Sequence, residues 1–236
     1  MQKIISQIIL LAVLLVGFSA CDECIKGEGA SQSQLRILPE ITGVELNFSG
    51  KIYIEQGEKQ EIIIEAQENI LEVIETRVSD GILKFGFNDC LRNHKEIIIR
   101  MTLPTINYVK VSGSGKIKST NIWTVENCHI EVGGSGDFEG NLNAQKINTK
   151  ISGSGGINLA GSTENLNFDL SGSGNLNALN LTAQNCGVKI SGSGNAKVAV
   201  EKSLDIKISG SGNVEYKGTP MVNQNISGSG NVRKLE

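Results

Sequence analysis

The sequence predicts an all-β chain wound as a right-handed parallel β-helix, a β-solenoid of about 18–21 residues per coil with an atypical N-terminal cap. Three observations predict it. Ser-Gly-Ser-Gly recurs at 112–115, 152–155, 171–174, 191–194, 209–212 and 227–230, and Gly133-Gly134-Ser135-Gly136 is a varied seventh copy, so successive copies start 21, 19, 19, 20, 18 and 18 residues apart. Apolar and polar residues alternate on both sides of every copy, the period of a strand with one buried face. Fifteen of the 28 glycines lie in these seven tetrapeptides, and a flexible linker would not space them so evenly. Collagen is excluded because there is no triplet register and only 3 prolines. Disorder is excluded by 39% apolar residues against a formal net charge of −3.

Residues 1–20 read as a lipoprotein signal peptide. Lys3 is their only charge, Ile8 to Val16 is a short apolar run, and Gly17-Phe18-Ser19-Ala20 leads to Cys21. Nine apolar residues are too few to cross a bilayer, which takes about 20. Phe18-Ser19-Ala20-Cys21 resembles a bacterial lipobox, with Phe18 where Leu is usual. The resemblance implies cleavage before Cys21 and lipidation of Cys21, hence a membrane partner through the anchor and a cell-envelope location at the outer membrane, open to the surface. Two or three acyl chains hold a protein stably where one does not. Asp22 and Glu23 resemble a surface-export tag. Residues 21–34 carry Gly, Ser and Gln without apolar periodicity and are expected to form a tether. Losing Lys3 leaves a formal net charge of −4, which argues against nucleic acid as a partner.

Residues 35–110 lack the tetrapeptide but remain strand-rich, and they are expected to form atypical coils and capping strands of one domain with 111–236. Val44 to Phe48 alternates, and Ser49-Gly50 followed by Lys51-Ile52-Tyr53-Ile54 has the look of a degenerate first coil. Ile62-Ile63-Ile64, Ile82 to Phe85 and Ile97-Ile98-Ile99 are apolar strand runs, and Asn88 to Lys95 is a polar loop. A solenoid needs its open end covered, because a bare strand edge recruits other chains. A separate globular domain is the alternative for this third.

Residues 111–236 form the regular repeat. The residue before each tetrapeptide is Val111, Val132, Ile151, Leu170, Ile190, Ile208 or Ile226, and two after it comes Ile117, Phe138, Ile157, Leu176, Ala196, Val214 or Val232. One repeat of this length cannot bury its apolar face, whereas stacked repeats can, so seven coils at about 4.8 Å each make a rod of roughly 34 Å. The corner glycines Gly113, Gly115, Gly153, Gly155, Gly172, Gly174, Gly192, Gly194, Gly210, Gly212, Gly228 and Gly230 are expected where the bend needs positive φ and leaves no room for a Cβ. The serine hydroxyls are expected to satisfy backbone groups freed by the bend, and Asn175, Asn195, Asn213 and Asn231 to form an outer amide ladder. A phosphate cradle would need a helix after the glycines, and a strand follows instead. The calcium-binding nonapeptide and the hexapeptide helix both fail on period.

Phe48 to Ile54, Leu103-Pro104 before Val109 to Gly115, and the Ser-Gly-Ser-Gly-Asn repeats ending at Asn231-Val232 resemble the bacterial family of the putative autotransporter adhesin head GIN domain, over about residues 38–235. The resemblance implies a right-handed β-helix and an adhesion role on the envelope, and it supplies no catalytic residues.

No catalytic grouping emerges from the residues themselves, and no metal site or cofactor is expected. Cys128 and Cys186 share one inward position three coils, about 14 Å, apart, beyond the ~7 Å of a disulfide. A Cys24–Cys90 bridge stays open. His94 sits in the polar loop, and His129 faces outward with no partner to make it a catalytic base. Glu131 and Asp169 share an outward ladder with Lys150 between them and Lys189 and Lys207 beyond, which reads as an ion-paired solvated face. Trp123 matches Leu142 and Leu181 in position and reads as core. The reading is therefore a non-enzymatic envelope lipoprotein that binds an unknown surface ligand, glycan or protein. A polysaccharide-active β-helix enzyme and a structural envelope spacer are the alternatives.

Overall fold

A computed structural model describes residues 24–236; the signal segment and Cys21 fall outside the described residues. The chain forms a parallel β-helix. Strands β1 (Ile25–Lys26), β2 (Ser31–Leu35), β3 (Gly43–Leu46), β4 (Lys51–Gln56) and β5 (Glu61–Gln67) lead to a short helix α1 (Glu68–Val73). Then come β6 (Ile74–Ser79), β7 (Ile82–Phe87), β8 (Leu91–Arg92), β9 (Ile98–Leu103) and β10 (Tyr108–Val111). The regular coils are β11 (Lys116–Val132), β12 (Asp137–Ile151), β13 (Gly156–Gly172), β14 (Asn175–Gly192) and β15 (Asn195–Gly210), and the last is split into β16 (Asn213–Lys217), β17 (Met221–Gly228) and β18 (Asn231–Lys234).

Each repeat stacks on the next in register, so Cys128 pairs with Ile147, Ile147 with Leu166 and Leu166 with Cys186. The alternating residues that the sequence marks as inward form continuous columns. Ile117, Phe138, Ile157, Leu176, Ala196 and Val214 are all buried, as are Val111, Val132, Ile151, Leu170, Ile190 and Ile208. Trp123 is fully buried over Phe138, ring centroids 5.9 Å apart.

At the corners, backbone bonds between coils do the work expected of the serine hydroxyls. Ser173 and Gly174 both donate their N–H to the Gly153 carbonyl, at 3.0 and 3.1 Å, and Ser211 and Gly212 do the same to Gly192. The corner serines 114, 135, 154, 173, 193 and 211 face solvent. The second glycine of each copy up to Gly212 is buried. At Gly155 a Cβ would stand 2.6 Å from Val132 Cγ1 and drive into the Gly136 carbonyl. Positive φ, expected at all twelve corner glycines, is found only at the first glycine of the later copies, Gly172, Gly192, Gly210 and Gly228, because at the other corners close stacking of the coils and not the backbone angle excludes a side chain.

The N-terminal third departs from a simple sequential stack. β3 and β4 form a coil directly beneath β10 and β11, as the degenerate motif predicts. The coil beneath that is made of β7 and β9, which come later in the chain. The chain thus lays one coil, turns away to build the cap, returns below its first coil, and then passes over it to start the regular stack. The cap is antiparallel: β6 pairs with β7, β5 with β9, and β2 with β5. Asp80 and Gly81 join β6 to β7 with φ of +53° and +73°, the two positive values of a tight hairpin turn. Antiparallel strands and α1, whose Ile70 and Leu71 are buried, close the apolar end.

Residues 24–34 correct the expected tether. Cys24 is bonded to Cys90, β1 pairs with β8 inside the expected polar loop, and β2 is a strand on β5. Asn69 holds this segment at both Lys26 and Glu28, and Gln67 holds it at Gly29. Polar side chains from the cap give it its path, which is why its own sequence shows no apolar period.

Candidate binding face

Between the two inward columns before each corner, every coil points two residues outward. Strand stacking turns them into two parallel rows. One row runs Tyr108, His129, Asn148, Asn167, Gly187, Asp205, Asn223. The other runs Lys84, Glu45, Lys110, Glu131, Lys150, Asp169, Lys189, Lys207, Asn225. From His129 to Asn225 the rows flank a shallow trough of about 730 Å³, floored by the strand backbones of Thr149, Phe168, Val188 and Ile206.

The charged row alternates in sign through most of its length, so each charge faces its opposite one coil away. Glu45 lies 3.7 Å from Lys84 and 3.5 Å from Lys110, Lys110 lies 3.9 Å from Glu131, and Asp169 lies 3.6 Å from Lys189. Lys150 stands between Glu131 and Asp169, as the repeat alignment predicts. A single strip of alternating charge keeps the two carboxylates apart and holds the rod in register.

His129 is not the solvated bystander expected. Its Nε2 lies 2.8 Å from Glu131 Oε1, two residues along and therefore on the same face, and its ring stacks on Tyr108 one coil below at 5.7 Å. Burial, and next the charges of Glu131 and Glu45, push the Tyr108 phenol up to about 12. His94 Nδ1 meets the Lys95 carbonyl at 2.7 Å, far from this face in the fold. The Tyr108 stack, the gap at Gly187 and the carboxylate at Asp205 escaped the sequence reading. Their signal lies at the second outward position before each corner, two residues before the charged row.

The neighbouring face carries the expected amide ladder over three of its four residues. Asn195 Nδ2 donates to Asn175 Oδ1 at 3.0 Å, and Asn213 Nδ2 to Asn195 Oδ1 at 2.9 Å. Beside it, Glu139 sits between Lys116 and Lys118, whose hydrogen bonds, Lys118 first, hold its carboxyl below the usual range. Cys128 and Cys186 are buried free thiols, pushed up to about 12 by that burial. Among the described residues no three His, Cys, Asp or Glu side chains gather as a metal site would require, and no helix is long and apolar enough to cross a membrane. The corner glycines hold the rod's shape, as described above, and Cys21 lies outside the described residues.

Residues 40–220 match the family described as putative auto-transporter adhesin, head GIN domain. The chain belongs to that family. Its fold is that of solved relatives. A putative adhesin from Bacteroides fragilis is 26% identical, with a TM-score of 0.84 over 89% of this chain and 100% of that one. A putative lipid binding protein from Parabacteroides distasonis is 22% identical, with a TM-score of 0.77 over 91% of this chain and all of that one. A putative adhesin from Parabacteroides merdae is 24% identical, with a TM-score of 0.72 over 90% and 99%. No curated protein matches the chain. Membership of a family of putative adhesins points to a cell-surface or envelope protein.

Proposed function

We propose that this GIN-domain chain is a non-enzymatic adhesin-type binding module, lipid-anchored to the envelope through Cys21 and presenting the trough to an external ligand. One observation carries the reading: two rows of outward residues, polar except at Gly187, flank a shallow trough of about 730 Å³ on a rod whose every coil is paired to its neighbours. Membership of an adhesin family supports it. Among the described residues the trough brings no nucleophile, base and orienting group together, so binding is the chemistry its residues suit.

The pinned N-terminus gives the reading a geometry. Cys21 stands three residues from Cys24, which is bonded to the cap. Three residues reach about 10 Å at most. A lipid at Cys21 would therefore hold Cys24 and the cap beside it close to the bilayer.

Measurements of anchoring and of binding test this. Protease shaving of intact cells should release fragments of the chain, and the C21S protein should lose membrane attachment. Purified C21S protein should bind host-cell surfaces, glycans or other bacteria, and deletion should reduce adhesion of the cells. Unchanged adhesion after deletion would overturn the binding role and favour a spacer. Cleavage of pectin, alginate or mucin glycans by the purified protein would overturn the non-enzymatic assignment.

A further inference from the structure

The row that begins at Tyr108 contains one position without a side chain. Gly187 lies between Asn167 on the coil below and Asp205 on the coil above, and all three point outward. The missing side chain leaves a notch in one wall of the trough, two coils or about 9.6 Å from Asn167 to Asp205. That is room for one six-membered ring with its hydroxyl groups.

The polar atoms around the notch have unequal roles. Asn167 donates its Nδ2 to Asn148 Oδ1 at 3.0 Å, which fixes the amide and turns its oxygen the other way. A Cβ placed on Gly187 would lie 3.2 Å from that Asn167 Oδ1, so the oxygen faces the empty space. On the opposite side, Asp205 uses Oδ1 to accept from Asn223 Nδ2 at 3.2 Å, leaving its second oxygen as an acceptor. Both walls of the notch therefore offer acceptors. Lys189 and Lys207 supply donors across the trough, in the facing row. A site that accepts from both sides suits a ligand that donates from both sides, and vicinal hydroxyls on a sugar ring do so.

We infer that the Gly187 notch seats one pyranose unit of a neutral glycan, with Asn167 and Asp205 accepting from its hydroxyls. The inference deepens the reading of the trough as a binding face and rests on it. Gly187 sits in extended strand with no positive φ, and a Cβ there would meet only the Asn167 side-chain oxygen, at 3.2 Å, which a swing of a few tenths of an ångström in that amide relieves. Its place in the row would take an asparagine like its neighbours below. The absent side chain is thus a feature of the surface and not of the fold.

This makes a clean test. Wild type, G187N, N167A and D205N proteins, each carrying C21S, are applied to arrays of neutral oligosaccharides ending in mannose, galactose or N-acetylglucosamine, alongside uronic-acid oligosaccharides. Wild type is expected to bind one of the neutral sets, G187N to lose that binding, and N167A and D205N to weaken it about tenfold each. Equal thermal midpoints for G187N and wild type show that the loss is not misfolding. Binding by G187N at wild-type strength overturns the notch. Binding of wild type to the acidic set alone, or to no array member, overturns the neutral sugar. Cells expressing G187N separate this inference from the one beneath it. If they adhere as wild type does while deletion abolishes adhesion, the notch fails and the binding role stands.

Discussion

Gly194 and Gly156 are two residues of one type that the fold uses differently. At Gly194 a Cβ would stand 2.5 Å from Leu170 Cδ2 and collide with the Gly174 carbonyl, because consecutive coils bring glycine over glycine. G194A is expected to cost about 2–3 kcal/mol through overpacking that the stacked backbone cannot relieve. Gly156 stands in the outward row between Asp137 and Asn175, where a Cβ would crowd the Asp137 Oδ1, at 2.9 Å, that accepts from the Gly156 N–H. G156N is expected to cost about 1 kcal/mol at most, because only an exposed side chain must swing aside and its hydrogen bond is the loss. Urea denaturation of both variants checks the contrast. The buried thiols report on the same packing. With Cys128 and Cys186 raised to about 12 by burial, both remain protonated and enclosed from pH 7 to 10. Neither should react with an aromatic disulfide reagent in native buffer, and both should react at the global unfolding transition. Rapid labelling without unfolding would mean that the coils open locally.

The stacked strands β11 and β12 are tied on their outer side by Glu139 between Lys116 and Lys118. Its carboxyl is held below its ordinary value in the fold, so its contribution is fully present above the unfolded carboxylate range and is lost as pH falls through the lowered folded value. The pH window is the acid one, below about 4.5. The group is 38% exposed, so screening keeps the contribution under about 1 kcal/mol. E139Q is expected to lower the neutral plateau by up to about 1 kcal/mol and to leave the acid end unchanged, so that the acid limb flattens. Thermal melts between pH 3 and 7 measure it, and a loss equal at all pH values would show that the carboxylate acts by packing instead. The capping strands follow another logic. β6 is held to β7 by a hairpin whose Asp80-Gly81 turn is a strong local signal, whereas β2 is an edge strand of exposed residues, SQSQL, placed by its pairing with β5 and a hydrogen bond from Gln32 to Glu68.

At the scale of the whole molecule, the Cys24–Cys90 bond joins the start of the chain to the cap across 66 residues. Removing it with C24S and C90S is expected to lower stability by about 2–4 kcal/mol, chiefly by freeing the unfolded chain. The β-rich circular dichroism should be unchanged, because β1 adds only two residues to the sheets. The segment 25–30 should then become cleavable by protease, while it resists cleavage in the oxidised protein. Cleavage at equal rates with and without the bond would show that β1, Asn69 and Gln67 hold the segment unaided. On a lipid-anchored rod, reduction would lengthen the leash from Cys21 from three residues to ten, up to β2.

The repeat determined the fold class by itself, because a face that one coil cannot bury fixes both the strand period and the stacking, and the glycine spacing fixes where each coil turns. The inward columns, Trp123 in the core, the amide ladder at Asn175 and Asn195, and the separation of Cys128 from Cys186 all follow from that one alignment. Only the tertiary structure decided the rest. The interleaved order of β7, β3 and β10 depends on which strand edges are free when the cap forms, and alternation cannot encode it. The disulfide and β1 depend on Asn69 and Gln67 reaching a segment about forty residues away. The partners of His129 and the notch at Gly187 exist only between coils, where residues about twenty positions apart come to lie one strand spacing from each other.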